Sequence, residues 1–387
     1  MVKPKGLKQI DGNPNMKITA YGCSKIVSGM FSLVLLFQAN SAFSWGERGH
    51  DLVTRVAARL VHESLSENPT EFGNVLLSKE HMLGHLSNVP DIVWRNGEKH
   101  VIDANSPTHF VDLEFLYPAS KKPTGPKELP ASVNEMRERL RRQCSDPKQA
   151  CPNVKGLEKK IAKTGTAPFR IAQLYELLVE KLKAVSTMEK PSKQKAFDEK
   201  LYTKTVNEAL TLAGLLSHFV ADLANPHHAS MNYDGWLSGQ GGIHSFFETK
   251  VVNEIDLNLD HKVFEMALKN KPFQAITPNK KNYSALDLSW LLALDSNQNV
   301  ERLNSLDRKH ALQLASKDRL PAKRKSPESV KAYFQDIALE RLALASDALA
   351  AFWLRAWREA GEPRLEGFKS YDYPLTPGFI EPSYLRP

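Results

Sequence analysis

Cysteine is scarce: the 387 residues contain three, at positions 23, 144 and 151. Long apolar runs are scarcer still. The longest stretch free of charge and dominated by apolar residues before the helical region is Ile26 to Phe37, roughly 12 residues against the ~20 a membrane-spanning helix needs. Strand-like alternation is thin, and no internal repeat is found. With charged residues at 25% and hydrophobic ones at 42%, the composition excludes a disordered chain and fits a globular one with a sizeable core. Acidic residues are nearly absent from one place. Residues 1–44 carry Lys3, Lys5, Lys8, Lys17 and Lys25 against Asp11 alone. The formal charge of the whole chain is +8, so half of the basic excess lies in this first stretch.

That stretch reads as an address. A basic flank ending at Lys25, a short apolar core and small residues beyond it make a secretory signal. Ala42 and Ser44 stand three residues and one residue before a cut that leaves Trp45 at the new N-terminus. Met16, followed by Lys17, is an alternative start. The competing reading is an uncleaved anchor. Export also places Cys144 and Cys151 in an oxidising compartment. They flank a turn-rich stretch, and a disulfide between them is expected. Neither lies near the histidine-rich segments, so they are not read as metal ligands. The protein is expected in the periplasm or secreted.

Beyond residue 44 the periodicity is helical. Apolar stripes fall at Val53, Val56, Ala57, Leu60 and Val61; along Phe169 to Val185; along Val206 to Leu223, stopped near Pro226; over 243–255; and from about Val330 to Ala360. The expected fold is all-α with long loops, in one domain over 45–387. Residues 116–166, rich in Pro, Lys and Gly, read as a loop-rich insertion. Residues 270–330 read as short helical pieces. The tail from 361 has no helical pattern.

The chemistry concentrates in a few short segments. His218 and Asp222 are four apart, as are His244 and Glu248, which puts each pair on one helix face. Asn225-Pro226 ends the first of these helices, and His227-His228 follow at once. Paired imidazoles and carboxylates at this density point to transition-metal ligation. Upstream stand Trp45, His50, Asp91 and His109. Taken singly, His50 could be a residue of a helix N-terminus, and Asp91, after Pro90, a plain N-cap.

The set of segments resembles the phospholipase C/S-one/P-one nuclease superfamily of trinuclear zinc phosphodiesterases. The resemblance rests on Trp45-Gly-Glu-Arg-Gly-His50, Asn88-Val-Pro-Asp91, His109-Phe110-Val111-Asp112, His218-Phe-Val-Ala-Asp222 with His228, and His244-Ser-Phe-Phe-Glu248. It implies an all-α fold of that family and three Zn²⁺. Asp91, His109, His218 and Asp222 would hold one ion. The free amine and carbonyl of an N-terminal Trp45, with His50, would hold another, with Asp222 bridging the two. His228, His244 and Glu248 would hold the third. The cut before Trp45, reached above from the signal pattern alone, would create that amine. The implied chemistry is phosphodiester hydrolysis by a metal-activated hydroxide, with Asp91 orienting the water or taking its proton.

Two branches of the family remain open. The short Trp45-to-His50 spacing and His109-Phe110-Val111-Asp112 resemble the nucleases, in which an aromatic stacks a base and a carboxylate hydrogen-bonds it. Phe110 and Asp112 would then bind single-stranded DNA or RNA; as plain structure they would be a core residue and a cap. Glu248, where nucleases usually carry Asp, resembles the phospholipases C, whose substrate would be a phospholipid headgroup. Arg95 stands one residue later than the arginine nucleases often place after the Asp91 equivalent, a turn of about 100° on a helix. Arg95 is thus a catalytic candidate of open role. The nuclease is the preferred expectation, and a metal-binding protein with an inactive site is the third. The basic runs at Arg137 to Arg142 and Lys323-Arg324-Lys325 read as solvated faces.

Overall fold

The computed structural model describes residues 45–67, 70–189, 197–278, 282–315, 320–370 and 376–385. The address segment 1–44 lies outside them. The described residues belong to one compact unit, and its architecture is all-α. The regular strands described are one antiparallel pair, β1 (Ala311–Gln313) with β2 (Lys323–Arg324).

Two helices form the centre. α8 (Glu199–Ala224) is buried at every position from Leu212 to Ala224, the mark of a helix enclosed on all sides. α15 (Pro327–Glu359) is buried continuously from Arg341 to Ala350. Around them pack α1 (Gly46–Ser64), α3 (Glu80–Ile92) and α7 (Ala167–Glu189). α7 lies along α8, α3 bridges α1 and α8, and α1 also packs on α15. The helices at Gly46–Ser64, Ala167–Glu189, Glu199–Ala224 and Pro327–Glu359 match the expected stripes.

α3 was not legible from periodicity. It carries Pro90 inside its last turn, where a proline lacks the N–H donor and normally breaks a helix. Asp91 is therefore a residue of a helix C-terminal turn, not an N-cap. Packing holds this turn: Asn105 Nδ2 donates to the Pro90 carbonyl at 3.0 Å. Gly214 in α8 explains the close approach of α3, because a Cβ there would lie 2.5 Å from Leu86 Cβ.

The stretch 116–166 is less loop-like than expected. It holds α5 (Val133–Gln143), opened by a Ser132 cap, and α6 (Leu157–Thr164). Cys144 and Cys151 are joined by a disulfide across the turn between them, with Cα atoms 5.2 Å apart. Between residues 270 and 330 lie α13 (Ala285–Gln298) and α14 (Val300–His310). α13 reaches the core through Trp290, which is 1% exposed. The described tail is irregular yet packed, with Phe379 edge-on to Trp94 at 5.1 Å.

Candidate metal centre

The start of α1 is clamped to the end of α8. The Trp45 indole Nε1 donates to the Ala221 carbonyl at 2.7 Å, and its ring lies 5.6 Å from Phe247. Gly46 takes φ +52, a left-handed conformation that favours glycine. One turn on, His50 is buried and faces α8, its Nε2 3.4 Å from Asp222 Oδ1.

The other carboxylate oxygen of Asp222 serves a second group. Oδ2 lies 2.9 Å from His109 Nδ1 and 3.2 Å from His218 Nε2. These two nitrogens are themselves 2.9 Å apart. Asp91 Oδ1 approaches both, at 3.7 and 3.8 Å. Two imidazoles and two carboxylates thus converge in a fully buried space, and Asp222 presents one oxygen to each of two neighbouring groups.

A third group forms where the chain leaves α8. His228 Nε2 is 3.7 Å and His244 Nε2 2.9 Å from Glu248 Oε2. Glu248 sits on a π-helical turn, Phe246–Val251, entered from the short helix Ile243–Ser245. Wide turns of this kind often occur at functional sites. Three groups of buried ligand-type atoms therefore lie within ligating reach of one another: His50, Asp91 and His218; His109, His218 and Asp222; and His228, His244 and Glu248.

The hydrogen bonds around these side chains bear on what they hold. His218 Nδ1 faces the Ser87 carbonyl, His228 Nδ1 the His109 carbonyl, and His244 Nδ1 the Tyr233 carbonyl, each at 2.7 Å. A carbonyl only accepts, so each Nδ1 carries a proton, and each Nε2 is turned toward a carboxylate. A backbone carbonyl fixing the tautomer in this way is the usual support of a metal-bound histidine. Asn225 Nδ2 donates to Glu248 Oε2 at 2.9 Å, while Glu248 Oε1, buried, has no hydrogen-bond partner. Asp222 is pushed up by burial but pulled well below the carboxylate range by His218, His228 and hydrogen bonds from its histidines. Burial lowers His244, yet Glu248 lifts it to about 9. The shifts are not all of one sign, since burial first, then Arg95, pushes His109 down to about 4. The donor set, nitrogen and carboxylate oxygen, suits a divalent transition metal.

Arg95 lies in this neighbourhood despite its shifted position, with Nε 3.2 Å from Asp91 Oδ1. Burial raises Asp91, but Arg95, His218 and His109 bring it below its usual value. Phe110 is half-buried, and its carbonyl accepts from the Ala167 amide at 3.1 Å. Asp112 is buried, makes no capping bond to the turn that follows it, and has an unpartnered Oδ1. Burial first, then Glu114, raises its carboxyl well above the usual range, with Lys163 opposing.

Several residues of the centre carry no sequence signal of their own. Asn225 was read only as the end of a helix. His227 is buried, bonds Asn304 Oδ1 at 3.1 Å and stacks on His244 with centroids 6.0 Å apart. Arg324, expected on a solvated face, is 7% exposed and bidentate to Asp307, at 2.7 and 3.0 Å. By contrast Arg137, Arg139 and Arg141 pair with Glu158, Glu135 and Glu138 on a surface helix. A cleft of about 770 Å³ beside Leu60, Phe273 and Leu354 contains none of the metal-centre residues, so concavity alone would misplace the site.

Comparison with protein-family models, with curated proteins and with solved structures gives no match.

Proposed function

We propose that the chain is an exported zinc-dependent phosphodiester hydrolase of the phospholipase C/S-one/P-one nuclease type, cutting single-stranded DNA or RNA. The observation that carries this reading is the buried convergence of His50, His109, His218, His228 and His244 on Asp91, Asp222 and Glu248, with three imidazoles pinned at Nδ1 by backbone carbonyls. Those residues would hold three zinc ions, with Trp45 adding its amine and carbonyl once the preceding segment is removed. Bound zinc supplies Lewis acidity, offsetting phosphate charge and easing deprotonation of water. Asp91, kept ionised beside Arg95, accepts a proton from the attacking water. Arg95 orients that carboxylate. Phe110 offers a face for a base, a contact worth roughly 1–3 kcal/mol and tolerant of sequence. Asp112, whose carboxyl is raised by burial and Glu114 and whose Oδ1 is unpartnered, offers a hydrogen-bonding group for a base edge.

Glu248 favours a second reading, a phospholipase C acting on lipid headgroup phosphodiesters. One experiment separates the two. The protein beginning at Trp45 is loaded with zinc and assayed in parallel on single-stranded DNA, RNA and phosphatidylcholine. Cleavage of nucleic acid is expected; turnover of lipid alone sinks the nuclease. The disulfide suits an oxidising compartment, and no helix among the described residues is long and apolar enough to cross a membrane. An extra residue before Trp45 is expected to lower activity by blocking the amine, and a fully active Met-extended protein would refute that ligand.

A further inference from the structure

The end of α6 is built onto the segment that carries His109. The Asp112 amide donates to the Thr164 carbonyl at 2.7 Å, the Thr166 amide to the Pro107 carbonyl at 2.6 Å and the Ala167 amide to the Phe110 carbonyl at 3.1 Å. Gly165, at φ +83, makes the approach possible, because a Cβ there would lie 2.2 Å from the Phe110 carbonyl oxygen. Lys163, in the last turn of α6, is therefore placed by backbone hydrogen bonds beside the metal centre.

Lys163 is exposed and makes no ion pair among the described residues. Its Nζ lies 5.4 Å from the centroid of the Tyr233 ring, within cation–π distance. It is also near enough to Asp112 to oppose part of the rise that burial imposes on that carboxyl. Tyr233, 38% exposed, belongs to the third group: its carbonyl accepts from His244 Nδ1 at 2.7 Å, and Asp234 Oδ1 next to it accepts from the His244 amide at 3.1 Å. The same ammonium thus meets the segment of His109 on one side and the loop of His244 on the other. Glu114, the other carboxylate of that segment, is taken up by Ser230, the Met231 amide and Asn297.

We propose that Lys163, seated on the Tyr233 ring, binds the phosphate next to the one being cleaved, so that the substrate is a polynucleotide and not a lone diester. This rests on the phosphodiesterase reading above. With the scissile phosphate at the metal centre, a neighbouring phosphate needs a cation of its own, and a lysine is a point charge suited to it. Such a contact positions the strand without reading its sequence. Tyr233 holds the ammonium without neutralising it, as an acidic partner would. A phosphatidylcholine headgroup carries a single phosphate and would leave this cation unused; a nucleic-acid strand supplies phosphates in succession.

The test is the affinity of the zinc-loaded protein beginning at Trp45 for a fluorescein-labelled single-stranded oligonucleotide with phosphorothioate linkages, read by anisotropy across a range of salt. Lys163→Ala should bind about tenfold more weakly, with a salt slope shallower by about 0.7. Tyr233→Ala should lose part of the same affinity, while K163R and Y233F should restore it. Lys159→Ala, which removes the same charge from an exposed position of the same helix, should match the parent. An equal loss in K159A, an unchanged salt slope in K163A, or no binding of the oligonucleotide at all would overturn the proposal. Turnover of a small chromogenic diester is read separately. If it is present while K163A binds like the parent, the hydrolase stands and the Lys163 contact fails. If it is absent while binding depends on Lys163, the contact stands and the hydrolase fails.

Discussion

An imidazole has two nitrogens, and at this centre the fate of one decides the use of the other. The carbonyls of Ser87, His109 and Tyr233 accept from Nδ1 of His218, His228 and His244, so each Nε2 is turned inward, where it could serve a metal. Asn225 plays the matching part for Glu248. Asn225→Ala removes the amide that orients Oε2, and zinc affinity should fall 10–100-fold, as read by competition with a fluorescent chelator; unchanged affinity would mean Glu248 needs no such support. Asp112 gives a pH test. Its folded-state carboxyl is raised by burial and Glu114, so between the unfolded value and the raised one the folded protein holds the extra proton. That contribution is full at low pH and is lost as pH rises. Asp112→Asn, which cannot ionise, should therefore gain thermal stability relative to the wild type as pH rises above the ordinary carboxylate range. A constant gap would remove the claim. The candidate ligands His218, Asp222, His244 and Glu248 were legible because paired spacings of four survive as a pattern in one dimension, whereas His50, Asp91 and His109 drew their weight from the family resemblance. Asn225 and the three carbonyls were not, because Asn225 meets Glu248 23 residues away and a backbone carbonyl has no residue signature.

At the scale of elements, backbone proximity sets the centre. α3 reaches α8 over Gly214, and this approach brings the Ser87 carbonyl to His218, one turn further along α8. Gly214→Ala forces Leu86 away, which should cost about 1–3 kcal/mol and also lower zinc content. Lost stability with full zinc would uncouple the two. Arg324 and Asp307 form a buried pair under the loop that carries His244. Arg324→Met leaves Asp307 charged and unpaired, a cost of about 3–5 kcal/mol to be measured by urea unfolding; a loss below 1 kcal/mol would contradict the buried assignment. The long helices were readable because amphipathic stripes are local. α3 was hidden by Pro90, and the π-helical turn at Glu248 has no periodic signature. Arg324 looked solvated because its neighbours, Lys323 and Lys325, are.

For the whole molecule, the basic composition is a poor guide to where phosphate charge would be met. Half of the +8 belongs to residues 1–44, and the rest of the chain is only mildly basic. If three zinc ions sit against Asp91, Asp222 and Glu248, about +3 lies in one buried region, and that is where phosphate charge would be met. The most direct measurement is elemental analysis of the purified protein beginning at Trp45, after zinc loading and removal of free metal. Three zinc ions per chain are predicted, falling by one or more in Glu248→Ala. A metal content near zero, or a Glu248→Ala protein that keeps its full complement, would contradict the trinuclear centre.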